Sequence, residues 1–309
     1  FTEGRHQFQF HSPEERVVMY LRALLTKMKP KAESAYVAMP GFSGLITLIE
    51  LPRMKPEELG KAIQFEAHKY IPTTLEEVAL SWDVLPSDEK EGPKGKMEVL
   101  LVAALHREVE RYEKYLAEVN LKMEVLELET FSLVRSLVRD KSGAHLIIDI
   151  GSRATNLILV DQGVIKVNRN LNSGGNEVTS TLADGLNISW ERAEVLKRGD
   201  KDFLNTRESA IIFPTFELIG GEARRIFDAY KAKHKDAKVE SAVLSGGTAK
   251  MLGLDKYFSK MWDMTVTVGN PWEGIQYDKR LEPAIASFGT SYSVALGLAL
   301  DGFESWYKK

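Results

Sequence analysis

The stretch HLIIDIGSRATNLILVDQGVIK, residues 145–166, decides the fold. An apolar run closes on Asp149-Ile150-Gly151, a short polar turn follows, and a second apolar run leaves it. This pattern predicts a hairpin at the centre of a mixed sheet. Such a turn has two meanings. It joins two strands, or it grips phosphate. Backbone N–H groups in a tight turn hold an anion well where no Cβ blocks the approach. On that second meaning Asp149 stands at a strand end, able to orient a Mg²⁺-bound water, Gly151 allows close approach and Ser152 adds a hydroxyl. Asp-Xaa-Gly at a strand end is common, so the turn alone leaves both meanings open.

Two further glycine pairs bear on the choice. NSGGNEVT (172–179) puts Gly174 and Gly175 just before a predicted helix, whose N-terminus favours negative charge. VLSGGTAK (243–250) puts Gly246, Gly247 and Thr248 between a predicted buried strand and a helix. Between them AEVLK (193–197) carries Glu194 and Lys197, three apart and so on one helix face. Each feature has a plain alternative: turns that need positive φ, and a solvated ion pair. Their order, however, is that of the second half of an actin-like ATPase. There the hairpin faces phosphate, the late Gly-Gly lies under adenosine, and the helix pair reaches base and ribose.

Composition narrows the classes. A chain of 309 residues predicts two domains or several subdomains, and 44% hydrophobic residues suffice for real cores. With 41 basic against 44 acidic residues the net charge is −3, which argues against bulk nucleic-acid binding. The absence of cysteine excludes disulfides, thiolate metal sites and a Cys nucleophile. No apolar run reaches the roughly 18 residues of a membrane span, and no signal peptide is evident.

Outward from the hairpin, Ser12-Pro13-Glu14-Glu15 opens a helix that runs to about residue 29. Strands are predicted over 34–40, 43–52, 78–86, 97–105 and 122–129, and helices over 55–72, 107–119 and 130–138. The segment 87–96 reads as a charged turn. Beyond the hairpin come a third strand and a helix reaching residue 186, then a short helix over 189–199. A helical region over 207–235 is expected to break at Pro214 and Gly220-Gly221. Strand–turn–helix over 241–262, a strand over 264–268 and an apolar helix over 292–303 complete the chain.

These residues resemble the PilM family, the actin-like cytoplasmic proteins of type IV pilus assembly. The likeness rests on VAMPGFSGLITLIELPRMKPEELGKAIQFEAHKYIPTTLEEVALSWDVL (37–85), EVLLVAAL (98–105), LELETFSLVRSL (126–137), LIIDIGSRATNLILV (146–160), SGGNEVT (173–179), AEVLK (193–197), EARRIF (222–227), LSGGTAKMLGL (244–254), NPWEGI (270–275) and SYSVALGLAL (291–300). It implies an α/β, actin-like two-lobed fold of the actin/Hsp70/FtsA type, with a PilM-type 1C subdomain. Residues 1–34 would open subdomain 1A, 35–121 form 1C and 122–143 return to 1A. Residues 144–189 would form 2A and 190–240 form 2B, with 241–309 supplying the rest of 2A and the C-terminal helix of 1A. Family members begin with an Asp/Glu-Ile-Gly hairpin of their own, gripping phosphate from the other side. Nothing like it precedes Ser12, and the sequence starts at Phe1 rather than Met. Either those strands were left out or the protein lacks them, and ATP and Mg²⁺ binding depend on which.

The resemblance implies a scaffold role at the cytoplasmic face of the inner membrane, reached only indirectly. The partner would be the N-terminal cytoplasmic peptide of a PilN-like membrane protein, held between 1A and 1C. Other pilus platform and motor ATPase proteins would be neighbours, with self-association into a ring. Helix 57–70 offers candidate groove residues: Glu66 inside an apolar stripe, Phe65 off it, and Lys69 and Tyr70 beside them. The alternative is a snorkelling Glu66 and a Phe65 that covers a neighbouring helix. ATP·Mg²⁺ would act as a conformational ligand with at most slow turnover, since no residue stands out as a general base. The competing readings are a nucleotide-free scaffold like the cytoplasmic domain of the secretion protein GspL, a superfamily kinase, and an FtsA-like filament former.

Overall fold

A computed structural model of the chain describes residues 12–85, 95–139, 141–205, 211–234 and 237–307. The opening segment 1–11 and most of the predicted 87–96 turn lie outside these residues. The hairpin does sit at the centre of the largest sheet. β6 (Ala144–Ile150), β7 (Thr155–Asp161) and β8 (Val164–Leu171) form an antiparallel meander. β9 (Val239–Ser245) and β10 (Thr265–Val268) extend it in parallel on the other side, giving the order β10-β9-β6-β7-β8.

Both faces of this sheet are covered, which is why β6 and β7 read as unbroken apolar runs. Leu146, Ile148, Leu157 and Leu159 face one core, shared with α5 (Gly175–Leu186), α6 (Trp190–Lys197), α7 (Pro214–Lys233) and α8 (Leu254–Trp262). Phe216 and Phe258 are fully buried there, each contributing about 1.5–3 kcal/mol of transfer free energy. Ile147, Ile158, Val160 and Val243 face the opposite way, toward Leu133, Val134 and Leu137 of α4 (Glu129–Leu137).

A smaller parallel pair joins β1 (Ser34–Met39) to β5 (Lys122–Leu128), and α4 follows β5 directly. Among the described residues β1 pairs only with β5. α10 (Ser293–Tyr307) crosses α4 at Gly297, where a Cβ would run into the Ser132 backbone. Arg135 pins this crossing by donating to the Gly297 carbonyl at 2.6 Å and pairing with Glu127.

Between β1 and β5 the chain makes an excursion. β2 (Gly44–Pro52), β4 (Lys96–Leu105) and β3 (Val78–Val84) form an antiparallel sheet in the order β2-β4-β3. The alternation of β4 assigns its faces. Val99, Leu101 and Ala103 pack with Ile63 and Ala67 of α2 (Pro56–Ala67). Leu100, Val102 and Ala104 point the other way, into the cluster with Val109 and Tyr112 of α3 (His106–Ala117). The helix α1 (Pro13–Met28) buries no residue of its own and touches the rest beside α3, where Arg22 pairs with Glu118 at 3.0 Å. Ser12 caps it in a reciprocal pair with Glu15.

The structure corrects the sequence reading in two places. Pro214 does not interrupt a helix but starts one, at the position where its missing N–H costs nothing. The Gly220-Gly221 pair lies inside that same helix, with Gly220 directly under Met261. A further helix, α9 (Glu282–Phe288), lies where none is predicted. No single helix among the described residues is long and apolar enough to cross a membrane.

Candidate functional site

Ligands of open α/β sheets bind beyond the carboxyl ends of the parallel strands. Here those ends are Ile150 and Ser245, and the predicted residues converge there. Asp149 is paired with Asn156 across the hairpin and accepts a hydrogen bond from Ser245. Burial pushes its carboxyl up, against that bond. Gly246 follows β9 with φ +84°, a left-handed conformation that glycine adopts without strain, and it packs on the Ile150 backbone. Thr290 secures it by donating to the Gly246 carbonyl at 2.7 Å. Gly247 opens onto free space, while Thr248 is buried.

The turn itself is stitched to α5. The N–H of Gly175 donates to the Gly151 carbonyl and that of Asn176 to the Ser152 carbonyl, both at 2.8 Å. The N–H of Gly174 donates to Glu177 at 2.9 Å. The predicted outward-facing helix N-terminus is therefore corrected. Its first donors are spent inside the protein, and they lock the turn rather than await an anion. Gly174 makes this possible, since a Cβ there would lie 2.6 Å from the Gly151 oxygen.

Glu194 and Lys197 form a close pair at 2.6 Å, but not a solvated one. Lys197 is only 7% exposed, and a cation so buried needs full compensation. Its Nζ donates to the Gly175 carbonyl at 3.0 Å and to Thr179 at 2.7 Å. Burial works against the charge of Glu194, yet hydrogen bonds from Lys197 and Thr179 hold its carboxyl below the usual range. The pair thus buttresses the start of α5.

One residue escaped the sequence reading. Glu129, the first residue of α4, lines a cavity of about 180 Å³ with Asp149, Ser152, Asn156, Asn170 and Phe42. Burial pushes its carboxyl up to about 7, a hydrogen bond from the Gly41 N–H opposes this, and the charge of Asp149 adds to it. A carboxyl poised near neutrality in a cleft is suited to proton transfer. Its signal in the sequence was only an acid ending a strand (LELETF, 126–131). Beside it the Oδ1 of Asn156 is buried without a partner, while its Nδ2 donates to Thr130 at 3.1 Å.

These groups answer whether Mg²⁺ and phosphate fit. Two carboxyls and an unpartnered amide oxygen are hard oxygen donors of the kind Mg²⁺ takes. Phosphate there would meet the two acids, with Arg153 of the turn as the positive side chain of the lining. The residues fit the cation and the phosphate end of a nucleotide together.

The residues predicted for a peptide groove lie on α2 and just past its end. α2 packs on the sheet face opposite α3, so it does not border the α1–α3 contact. Phe65 is 73% exposed, Tyr70 lies past the end of the helix, and Glu66 pairs with Lys69 at 2.8 Å. A groove of about 990 Å³ runs between α1 and α3, with Val18, Met19, Arg22, Arg111, Lys114 and Tyr115 among its walls.

Sheet order, the excursion between β1 and β5, and the turns at the carboxyl ends define an α/β protein of the actin-like fold. The chain belongs to the family described as type IV pilus assembly protein PilM, which it matches over residues 9–303. It is a type IV pilus assembly protein in that sense. It resembles the solved PilM–PilN type IV pilus biogenesis complex at 25% identity and a TM-score of 0.79, covering 93% of this chain and 84% of that one. The ethanolamine utilization protein EutJ from Carboxydothermus hydrogenoformans is more distant, at 21% identity and TM-score 0.41 over 63% of this chain and 61% of that one. MreB5 of Spiroplasma citri, solved bound to ADP, matches at 16% identity and TM-score 0.49 over 67% of each.

Proposed function

We propose that the protein is a nucleotide-responsive scaffold of the pilus assembly platform at the cytoplasmic face of the inner membrane. It takes the N-terminal cytoplasmic segment of a PilN-like membrane protein into the α1–α3 groove. The observation that carries this is the likeness to the PilM–PilN complex over most of both chains. In the subdomain scheme of the family, α1 belongs to 1A and the β2–β4–β3 unit with α3 to 1C, so the groove runs between the two. Val18, Met19 and Tyr115 offer apolar contact and Arg111 and Lys114 offer donors, a lining suited to an extended peptide.

ATP with Mg²⁺ is the proposed conformational ligand at the carboxyl ends of β6 and β9. The residues that would hold it are Asp149, Gly151 and Ser152 at the phosphates and Gly246, Gly247 and Thr248 at the nucleoside. Asp149, Glu129 and Asn156 would face the cation, which neutralises phosphate charge next to two acids. Turnover is slow on this reading. Glu129, the best-placed proton acceptor, shares one of its two oxygens with the Gly41 amide and would also face the cation, which lowers its basicity. Peptide and nucleotide must then alter each other's affinity by the same factor.

The test is titration of a synthetic peptide carrying the partner's cytoplasmic segment into the protein, with and without saturating ATP·Mg²⁺. Binding that is lost in Met19→Glu and altered by nucleotide is expected. Binding indifferent to Met19→Glu would place the peptide elsewhere, and indifference to ATP would end the coupling.

A further inference from the structure

The β2–β4–β3 unit is joined to the rest of the chain at two crossings, and hydrogen bonds from two other elements grip one of them. The chain departs at Pro40-Gly41, just after β1, and returns at the start of β5, where Lys122 lies beside Ser34. Met39 and Leu128 are neighbours in the β1–β5 register, so the departing crossing lies beside the start of α4. The N–H of Gly41 donates to Glu129 Oε1 at 2.8 Å, tying this crossing to the start of α4. Asn170 of β8 then donates to the Gly41 carbonyl at 3.2 Å, tying the same residue to the large sheet. Gly41 is sunk between side-chain amides. A Cβ on it would lie 2.7 Å from Asn156 Nδ2 and 2.9 Å from Asn170 Oδ1.

These partners also line the cavity beside the Gly151–Ala154 turn, together with Asp149 and Ser152. The unpartnered Asn156 oxygen lies in the same cluster. Whatever enters that cavity therefore contacts the groups that hold the hinge of the β2–β4–β3 unit. A cation with phosphate has an obvious competitor there, since the carboxylate that accepts from Gly41 is also a strong oxygen ligand.

We propose that Glu129 and Asn170 are positioning residues that couple the Gly151–Ala154 turn to the orientation of the β2–β4–β3 unit through their grip on Gly41. Ligand at the turn draws on Glu129, the Gly41 hydrogen bond is loosened, and the unit shifts about its departing crossing at residues 40–44. The inference rests on reading the turn as the phosphate side of a nucleotide site. Couplings of this kind alter affinity by about 5- to 150-fold.

Hydrogen exchange of the whole protein, with and without ATP·Mg²⁺, tests it, alongside calorimetric titration of the same ligand. The expected result is nucleotide binding together with altered exchange over 40–52 and 96–105. In Glu129→Ala, exchange over 40–52 is raised before nucleotide is added and no longer responds to it. In Glu129→Gln, which keeps an acceptor for Gly41, the basal protection is restored. Asn170→Ala reproduces the loss of response if Glu129→Ala does not fold. Binding of ATP·Mg²⁺ with unchanged exchange over both segments overturns the coupling and spares the nucleotide site. No binding at all overturns both.

Discussion

Replacing Glu129 by Gln should stabilise this protein at alkaline pH and barely change it near pH 5. The carboxyl stands at about 7 in the fold, against 4.5 for an ordinary glutamate, because it is buried next to Asp149. Its proton is held more tightly folded than unfolded. Stability from this group is therefore complete below about pH 4.5, declines as the pH rises and is gone above about 7. The gap corresponds to roughly 3 kcal/mol. Gln keeps an oxygen for the Gly41 N–H but carries no charge to desolvate. The variant should escape that cost, melting roughly 5–10 °C above the parent at pH 8. At pH 5, where the parent's carboxyl is mostly protonated when folded, most of the difference should vanish. Thermal unfolding followed by circular dichroism at the two pH values reads this directly. An equal shift at both, or a destabilised variant at pH 8, would refute the assignment of a strained, charged Glu129.

Three other outcomes follow from particular contacts. Gly41→Ala should lower stability by about 1–3 kcal/mol, because its Cβ overlaps two side-chain amides; an unchanged midpoint in urea would show that the cluster yields freely. Lys197→Met should cost about 3–5 kcal/mol, the penalty of breaking a buried pair, moderated where Arg198 still reaches Glu194 at 2.6 Å; a melt within a degree of the parent would contradict the buttress role. Lys233 of α7 bridges Glu50 and Glu98 of the small sheet, and Glu50, hydrogen-bonded first by Lys96 and then by Lys233, is held down to about 2. These groups are solvated, so Lys233→Ala should cost under about 1 kcal/mol, and the loss should disappear in about 1 M salt; a salt-independent loss would point to packing instead.

Much of the fold was legible because its signals are local. The β6–β7 hairpin announces itself by unbroken apolar runs around a polar turn, and those runs are apolar because both sheet faces are covered. α1 begins at its capping serine and α3 follows its apolar spacing. Errors came where a local cue has more than one structural meaning. Pro214 ends helices and also starts them, and Gly220 breaks a helix unless a side chain such as Met261 needs the room. The predicted phosphate residues do gather at one end of the central strands. What each of them does there is decided at long range. Lys197 turns inward because Thr179 and the Gly175 carbonyl are within reach. Glu129 looks ordinary in sequence, since its environment is made by Gly41, 88 positions away. α2 shows an apolar stripe, but which sheet face it covers is fixed only by the alternation of β4.

The most direct test is calorimetric titration of ATP·Mg²⁺ into this protein and into Asp149→Ala. Micromolar binding in the parent and none in the variant is the predicted result. It would make the turn after β6 the working end of a nucleotide-responsive pilus scaffold. Binding that survives the loss of Asp149, or no binding by the parent, would contradict that account.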